Sequence, residues 1–213
     1  MKTDELINAL SLDVAPVPRL AFARQLVIWL LPAAIVSILL MLVSVGLRPD
    51  LVAALGRPAI WVKFAIVLAL SGAALAAVAH ASRPDQSGQK FLTLFGVLVI
   101  AAAAGGFIQL LNHDSSIWMR AWLGSSSAEC PFIIMGLSVP LFVAIMFVMR
   151  QAAPANARIA GAAAGLLAGG LSAFIYALHC GEAAIMFIAT WYVGGIVAVG
   201  ALGALIGPRV LRW

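Results

Sequence analysis

Charge is scarce in this chain, and the scarcity decides its class. Only 10% of the residues are Asp, Glu, Lys or Arg, while 64% are hydrophobic. An ordinary soluble domain carries about 25% charged residues. So much apolar surface cannot be buried in one globular core of this size, so lipid must cover part of it. Other absences narrow the chemistry. No two carboxylates fall inside the apolar runs, which removes an intramembrane proteolytic dyad or a proton relay. No CxxC occurs, which argues against a quinone-linked thiol oxidoreductase. Transporters usually show intramembrane charge or broken helices at the midplane, and Gln109 with the Gly105-Gly106 pair is the nearest approach here. Ser37, Ser44, Ser71, Ser138 and Ser172 have no neighbouring base and are expected to bond to backbone carbonyls. A cleavable leader is not expected, because Asp4, Glu5 and Asp13 precede any apolar run. These readings argue against an enzyme, with a thiol-dependent membrane enzyme as the remaining rival of that class.

What is present is six long apolar runs: about Gln25 to Leu47, Ala59 to Ala79, Phe91 to Leu111, Phe132 to Met149, Ile159 to Leu178 and Ala183 to Ile206. Each approaches the ~20 residues that a spanning helix needs. The predicted fold is therefore all-α: a polytopic membrane protein with six transmembrane helices in one bundle. The net charge of +5 reads as a topology signal rather than a nucleic-acid surface, because the cations cluster at the ends of the runs. Lys2, Arg19, Arg24, Arg83, Lys90, Arg150, Arg158, Arg209 and Arg212 fall on one side. Arg48, Arg57, Lys63 and Arg120 fall on the other. This bias puts both termini in the cytoplasm. Lys63 and His80 lie near span ends, where side chains are expected to snorkel to water.

Three pieces fall outside the spans. Residues 1–23 form a tail that reads as a short helix, capped by Thr3 and ended by Pro16 and Pro18. Asp4 and Glu5 make its start acidic, and Leu6, Ile7 and Leu10 form one apolar stripe. Such a head suits a basic protein partner. Residues 24–213 are the membrane domain. Between spans three and four, Asn112 to Cys130 is the longest connection. Trp118 and Trp122 stand there at i and i+4, as on a helix lying in the interface. Gly124 to Ser127 reads as a flexible joint after it. A second interfacial turn is expected at Asp50 to Gly56.

Both cysteines of the chain fall at the same rim. Cys130 opens span four and Cys180 follows span five. Consecutive spans run antiparallel, so the two thiols can face each other. Three readings stay open: a disulfide staple, a reversible redox pair, or two unpaired thiols. Cys130, Cys180 and His179, with Glu182 and Glu129 close by, are also candidate ligands for a soft metal such as zinc or copper, acting as a signal and not as a resident cofactor. Gly161, Gly165 and Gly169 recur every fourth residue, and Gly200, Gly203 and Gly207 partly repeat the spacing. Such faces allow close helix approach, within one bundle or in an oligomer.

The opening MKTDELINAL, the juxtamembrane linker bearing Pro and Arg, the Glu129-Cys130-Pro131 corner and the His179-Cys180-Gly181-Glu182 turn resemble one bacterial family over the full length. It is the negative regulator of sigma F family, six-span inner-membrane anti-sigma factors. The resemblance implies sequestration of an extracytoplasmic-function sigma factor at the cytoplasmic face, with Asp4, Glu5, Leu6, Ile7 and Leu10 as candidate contacts. It also implies that Cys130 and Cys180 take part in sensing metal or oxidative stress. The alternative from the residues alone is a small transporter or channel.

Overall fold

The computed structural model describes Thr3 and residues 21–86, 88–152 and 154–211. The tail reading, including Asp4, Glu5, Leu6, Ile7 and Leu10, lies outside the described residues. Six helices are long and apolar enough to cross a membrane. They are α1 (Ala21–Ser44), α3 (Pro58–Ala81), α4 (Gln89–Leu111), α6 (Cys130–Arg150), α7 (Ala157–Tyr176) and α8 (Ile185–Val210). Two short helices lie between spans, α2 (Leu51–Leu55) and α5 (Trp118–Leu123), the second led by a 3₁₀ turn at Ser115–Ile117. Both were expected as interfacial segments. The first span begins about four residues earlier than its predicted start, because the juxtamembrane Ala21–Arg24 continues the helix.

Local chemistry sets several of these boundaries. Pro58 opens α3 and Pro131 sits in the first turn of α6, where a missing N–H costs nothing. Asn156 caps α7, its side-chain oxygen accepting from Arg158 N at 3.0 Å and Ile159 N at 3.1 Å. Pro32 and Pro140 sit inside α1 and α6 without ending either helix.

Composition decides which helix is central. The apolar window of α7 is 78% buried, against 22% for α1 and 17% for α4. Alanine and glycine give α7 a slim profile, so α3, α6 and α8 all pack against it. Larger side chains on α1 and α4, such as Leu31, Ile35, Val97 and Ile100, face outward. The glycine face of α7 closes against α8. A Cβ at Gly165 would stand 2.9 Å from Gly200 Cα, and one at Gly161 would stand 2.8 Å from Gly207 Cα. Oligomerisation through these faces was one expectation. Here the two glycine rows occupy each other within the chain.

All five serines bond to backbone carbonyls, as expected, and two of them cross between helices. Ser37 donates to Leu137 O at 2.9 Å, tying α1 to α6, and Ser172 donates to Ile134 O at 3.0 Å, tying α7 to α6. The features nearest to a transport site are taken up by packing. Gln109 Oε1 accepts from Ile185 N at 2.8 Å, and Gly106 lies against the Met186 backbone.

Candidate functional site

The turn between α7 and α8, residues 179–184, is the point where one end of the bundle is tied together. After Tyr176 the helix tightens, with Leu178 N donating to Ile175 O and His179 N to Tyr176 O. The chain then runs without helical pairing to Ile185, so its carbonyls need partners from elsewhere. Lys63 on α3 supplies them. Its ammonium donates to Cys180 O at 2.9 Å and to Glu182 O at 3.0 Å, and it stands 4.6 Å from the centre of the Tyr192 ring. Lys63 is 1% exposed. The expectation that it snorkels is therefore wrong: its amine turns inward to two carbonyls and an aromatic face.

The same turn is clasped from three other directions. His179 donates from Nδ1 to Gly46 O at 2.9 Å, which joins it to the loop after α1. The Glu182 carboxylate accepts from both the backbone N and the hydroxyl of Ser125, each at 2.8 Å. Ser126 Oγ lies 3.7 Å from Cys180 Sγ, and Ser126 O accepts from Cys130 N at 2.9 Å. Residues 124–127 were expected to be a flexible joint. They instead form the clasp over the turn. Gly124 makes this possible: its φ is 54°, and a Cβ there would stand 2.8 Å from Glu182 Oε1.

Cys130 and Cys180 are both free thiols, 0% and 3% exposed. Ser126 connects them: its hydroxyl lies against the Cys180 thiol and its carbonyl accepts from Cys130 N. Tyr176 and Tyr192 are buried beside this pair, and the 124–127 clasp lies over it. The Tyr192 hydroxyl sits beside the Cys180 thiol yet completes no hydrogen bond of acceptable geometry. Tyr192 ends a π-helical stretch, Ile188–Tyr192, which also swings Trp191 outward to donate to Trp122 O at 2.8 Å. The candidate metal ligands do not converge. Among the described residues no three His, Cys, Asp or Glu side chains group to hold an ion. His179 and Glu182 are engaged by Gly46 and Ser125, and Glu129 is exposed.

Sequence reasoning missed Lys63, Ser125, Ser126 and both tyrosines. A lysine six residues inside an otherwise apolar span was the available signal for the first. At the rim, Arg48 clamps Asp50 with two bonds of 2.7 Å. That bond raises the guanidinium pKa further and holds the Asp50 carboxyl below the usual carboxylate range.

Comparison with known proteins decides the family. The family model described as negative regulator of sigma F matches residues 10–213. This chain belongs to the negative regulator of sigma F family. The probable anti-sigma-F factor NrsF of Azospira oryzae (strain ATCC BAA-33 / DSM 13638 / PS) is 35% identical over 213 residues, covering all of both chains. The anti-sigma-F factor NrsF of Caulobacter vibrioides (strain NA1000 / CB15N) is 34% identical over 220 residues, again covering both completely. No solved structure matches. Membership places the chain among regulators of sigma factors, as the sequence motifs implied.

Proposed function

We propose that this protein is an inner-membrane anti-sigma factor that holds an extracytoplasmic-function sigma factor inactive at the cytoplasmic face. The match to the sigma-F regulator family from residue 10 to residue 213 carries this reading. The cation bias supports an orientation with both termini in the cytoplasm. In that orientation the cysteine rim faces the periplasm, and residues 1–23 face the sigma factor. Their acidic start suits the basic, DNA-binding surface of such a partner, and covering that surface blocks promoter binding.

The cysteine pair is the sensor in this reading. Transfer of two electrons and two protons from the Cys130 and Cys180 thiols to an external two-electron oxidant, which leaves a disulfide, or capture of a soft metal by their thiolates, draws the start of α6 and the α7–α8 turn together. The clasp of Ser125, Ser126 and Lys63 on that turn must then rearrange. The close glycine contact between α7 and α8 transmits the change along the bundle, because tightly packed helices shift between discrete arrangements rather than deforming smoothly.

The decisive experiment purifies the full chain in detergent from its own cells and identifies what comes with it by mass spectrometry. A stoichiometric sigma factor is expected. Leu6→Asp and Ile7→Asp each place a charge on the apolar stripe of the tail, at a cost of several kcal/mol if it is buried at an interface. Both are expected to release the sigma factor while the bundle stays folded. Retention of the sigma factor by both variants removes the tail from the clamp, and its absence from the wild-type purification removes the anti-sigma reading.

A further inference from the structure

Lys63 has an unusual electrostatic situation that its hydrogen bonds do not resolve. It is 1% exposed, and among the described residues no carboxylate lies within ion-pairing distance of its amine. Backbone carbonyls and the Tyr192 face stabilise it by dipole and quadrupole only. A buried cation without a counter-ion is costly and marks a place where an anion belongs. Beside it lies a cavity of about 40 Å³, lined by Lys63, Arg48, Arg57, Ile60, Gly181 and Glu182 among others. A single water needs about 10–15 Å³ by this measure, so a group of several atoms fits.

Three independent elements contribute a basic residue to the lining of this space. Lys63 comes from within α3, Arg48 from the loop after α1, and Arg57 from the residue before α3. Arg57 is exposed and forms no ion pair within 4 Å. The one carboxylate in the lining, Glu182, is turned away to Ser125. Gly181 leaves the wall without a side chain, and the N-terminus of α3 has no side-chain cap. The positive end of the helix dipole adds to the same field.

We propose that this cavity binds a phosphate-like oxyanion, as a free ion or as the phosphate of an anionic lipid headgroup. The anion is the missing counter-ion of Lys63, with Arg57 gripping it at the mouth and Arg48 beside it. It lies against the turn that carries Cys180, so occupancy fixes the position of the cysteine-bearing turn. Asp50 competes for Arg48 and lowers the affinity of the site.

The test uses the full chain. In detergent, inorganic phosphate and sulfate are titrated by calorimetry at constant ionic strength, with chloride as the control. In nanodiscs, native mass spectrometry compares phosphatidylglycerol with phosphatidylcholine. Saturable binding of phosphate or sulfate identifies a free-ion site, and selective retention of phosphatidylglycerol identifies a headgroup site; either supports the proposal. Arg57→Gln, at an exposed position, is expected to weaken that binding at least about tenfold, the size of one lost charge-assisted contact. Asp50→Asn is expected to strengthen it severalfold by freeing Arg48, an effect that a loss of structure does not produce. No saturable binding of any of the three probes to the wild type, or unchanged binding by Arg57→Gln, overturns the proposal.

Discussion

Lys63 shows how one side chain can hold a rim together. Its two carbonyl contacts are the long-range hydrogen bonds from α3 to the α7–α8 turn. Lys63→Met removes the buried charge, which relieves desolvation, but leaves two carbonyls unpaired at about 1–3 kcal/mol each. The terms nearly offset in global stability, and the local consequence is a loosened turn. Maleimide labelling of Cys180 in the folded protein is expected to speed up by about tenfold or more, the equivalent of one lost bond. Unchanged labelling would show that the other clasps suffice. Asp50 lends itself to a pH prediction. Its carboxyl pKa is lowered in the fold by the Arg48 hydrogen bond. The pair's contribution is therefore complete above the ordinary carboxylate value of about 4 and is lost as pH falls through the lowered folded value. Hydrogen exchange of residues 46–51 is expected to be flat from about pH 5 to 8 once intrinsic rates are corrected, and to rise only in acid below about pH 4.

At the scale of elements, glycine position separates packing from tolerance. Gly165 meets the α8 backbone, whereas Gly136 in α6 and Gly96 in α4 have nothing within 4 Å of a built Cβ. Gly165→Val forces α7 and α8 apart and is expected to destabilise by about 3 kcal/mol. Gly136→Ala gains helix propensity without a clash and is expected to stabilise by about 0.5–1 kcal/mol. Thermal unfolding in a single detergent measures both, and a tolerated valine would mean that the two helices are less closely joined than described. The π-helical stretch in α8 is the other element-level device. Without its wider turn, Trp191 and Tyr192 would point elsewhere, and neither Trp122 nor Lys63 would be reached.

For the whole molecule, the proposed switch requires that the cysteines act as one unit. Cys130 sits at the start of α6 and Cys180 in the turn that follows α7, with Ser126 between them. Cys130→Ser and Cys180→Ser are each expected to impair release of the sigma factor under stress, with the double variant no worse than either single one. Groups that act jointly do not sum. A reporter for the sigma-dependent promoter measures all three strains, and additive, unrelated effects would reduce the pair to structural bystanders. The burial of both thiols adds a kinetic expectation: labelling of the native pair should be limited by opening of the clasp formed by residues 124–127.

The chain alone determined the six spans, their order and the serine contacts, because hydrophobic runs of this length and uncharged hydroxyls have few physical options in an apolar setting. Its motifs also carried the family, and the two cysteines could be placed on one rim from span counting. What it left open was which helix is central, which faces meet and what the polar residues at the rim do. Gly161, Gly165 and Gly169 are the same residues whether they pack inside one chain or between two; only the position of Gly200, Gly203 and Gly207 across from them decides it. Lys63, Ser125 and Glu182 are ordinary rim residues in one dimension. Their roles arise from contacts 57 to 119 residues apart, and such contacts leave no periodic trace in a sequence.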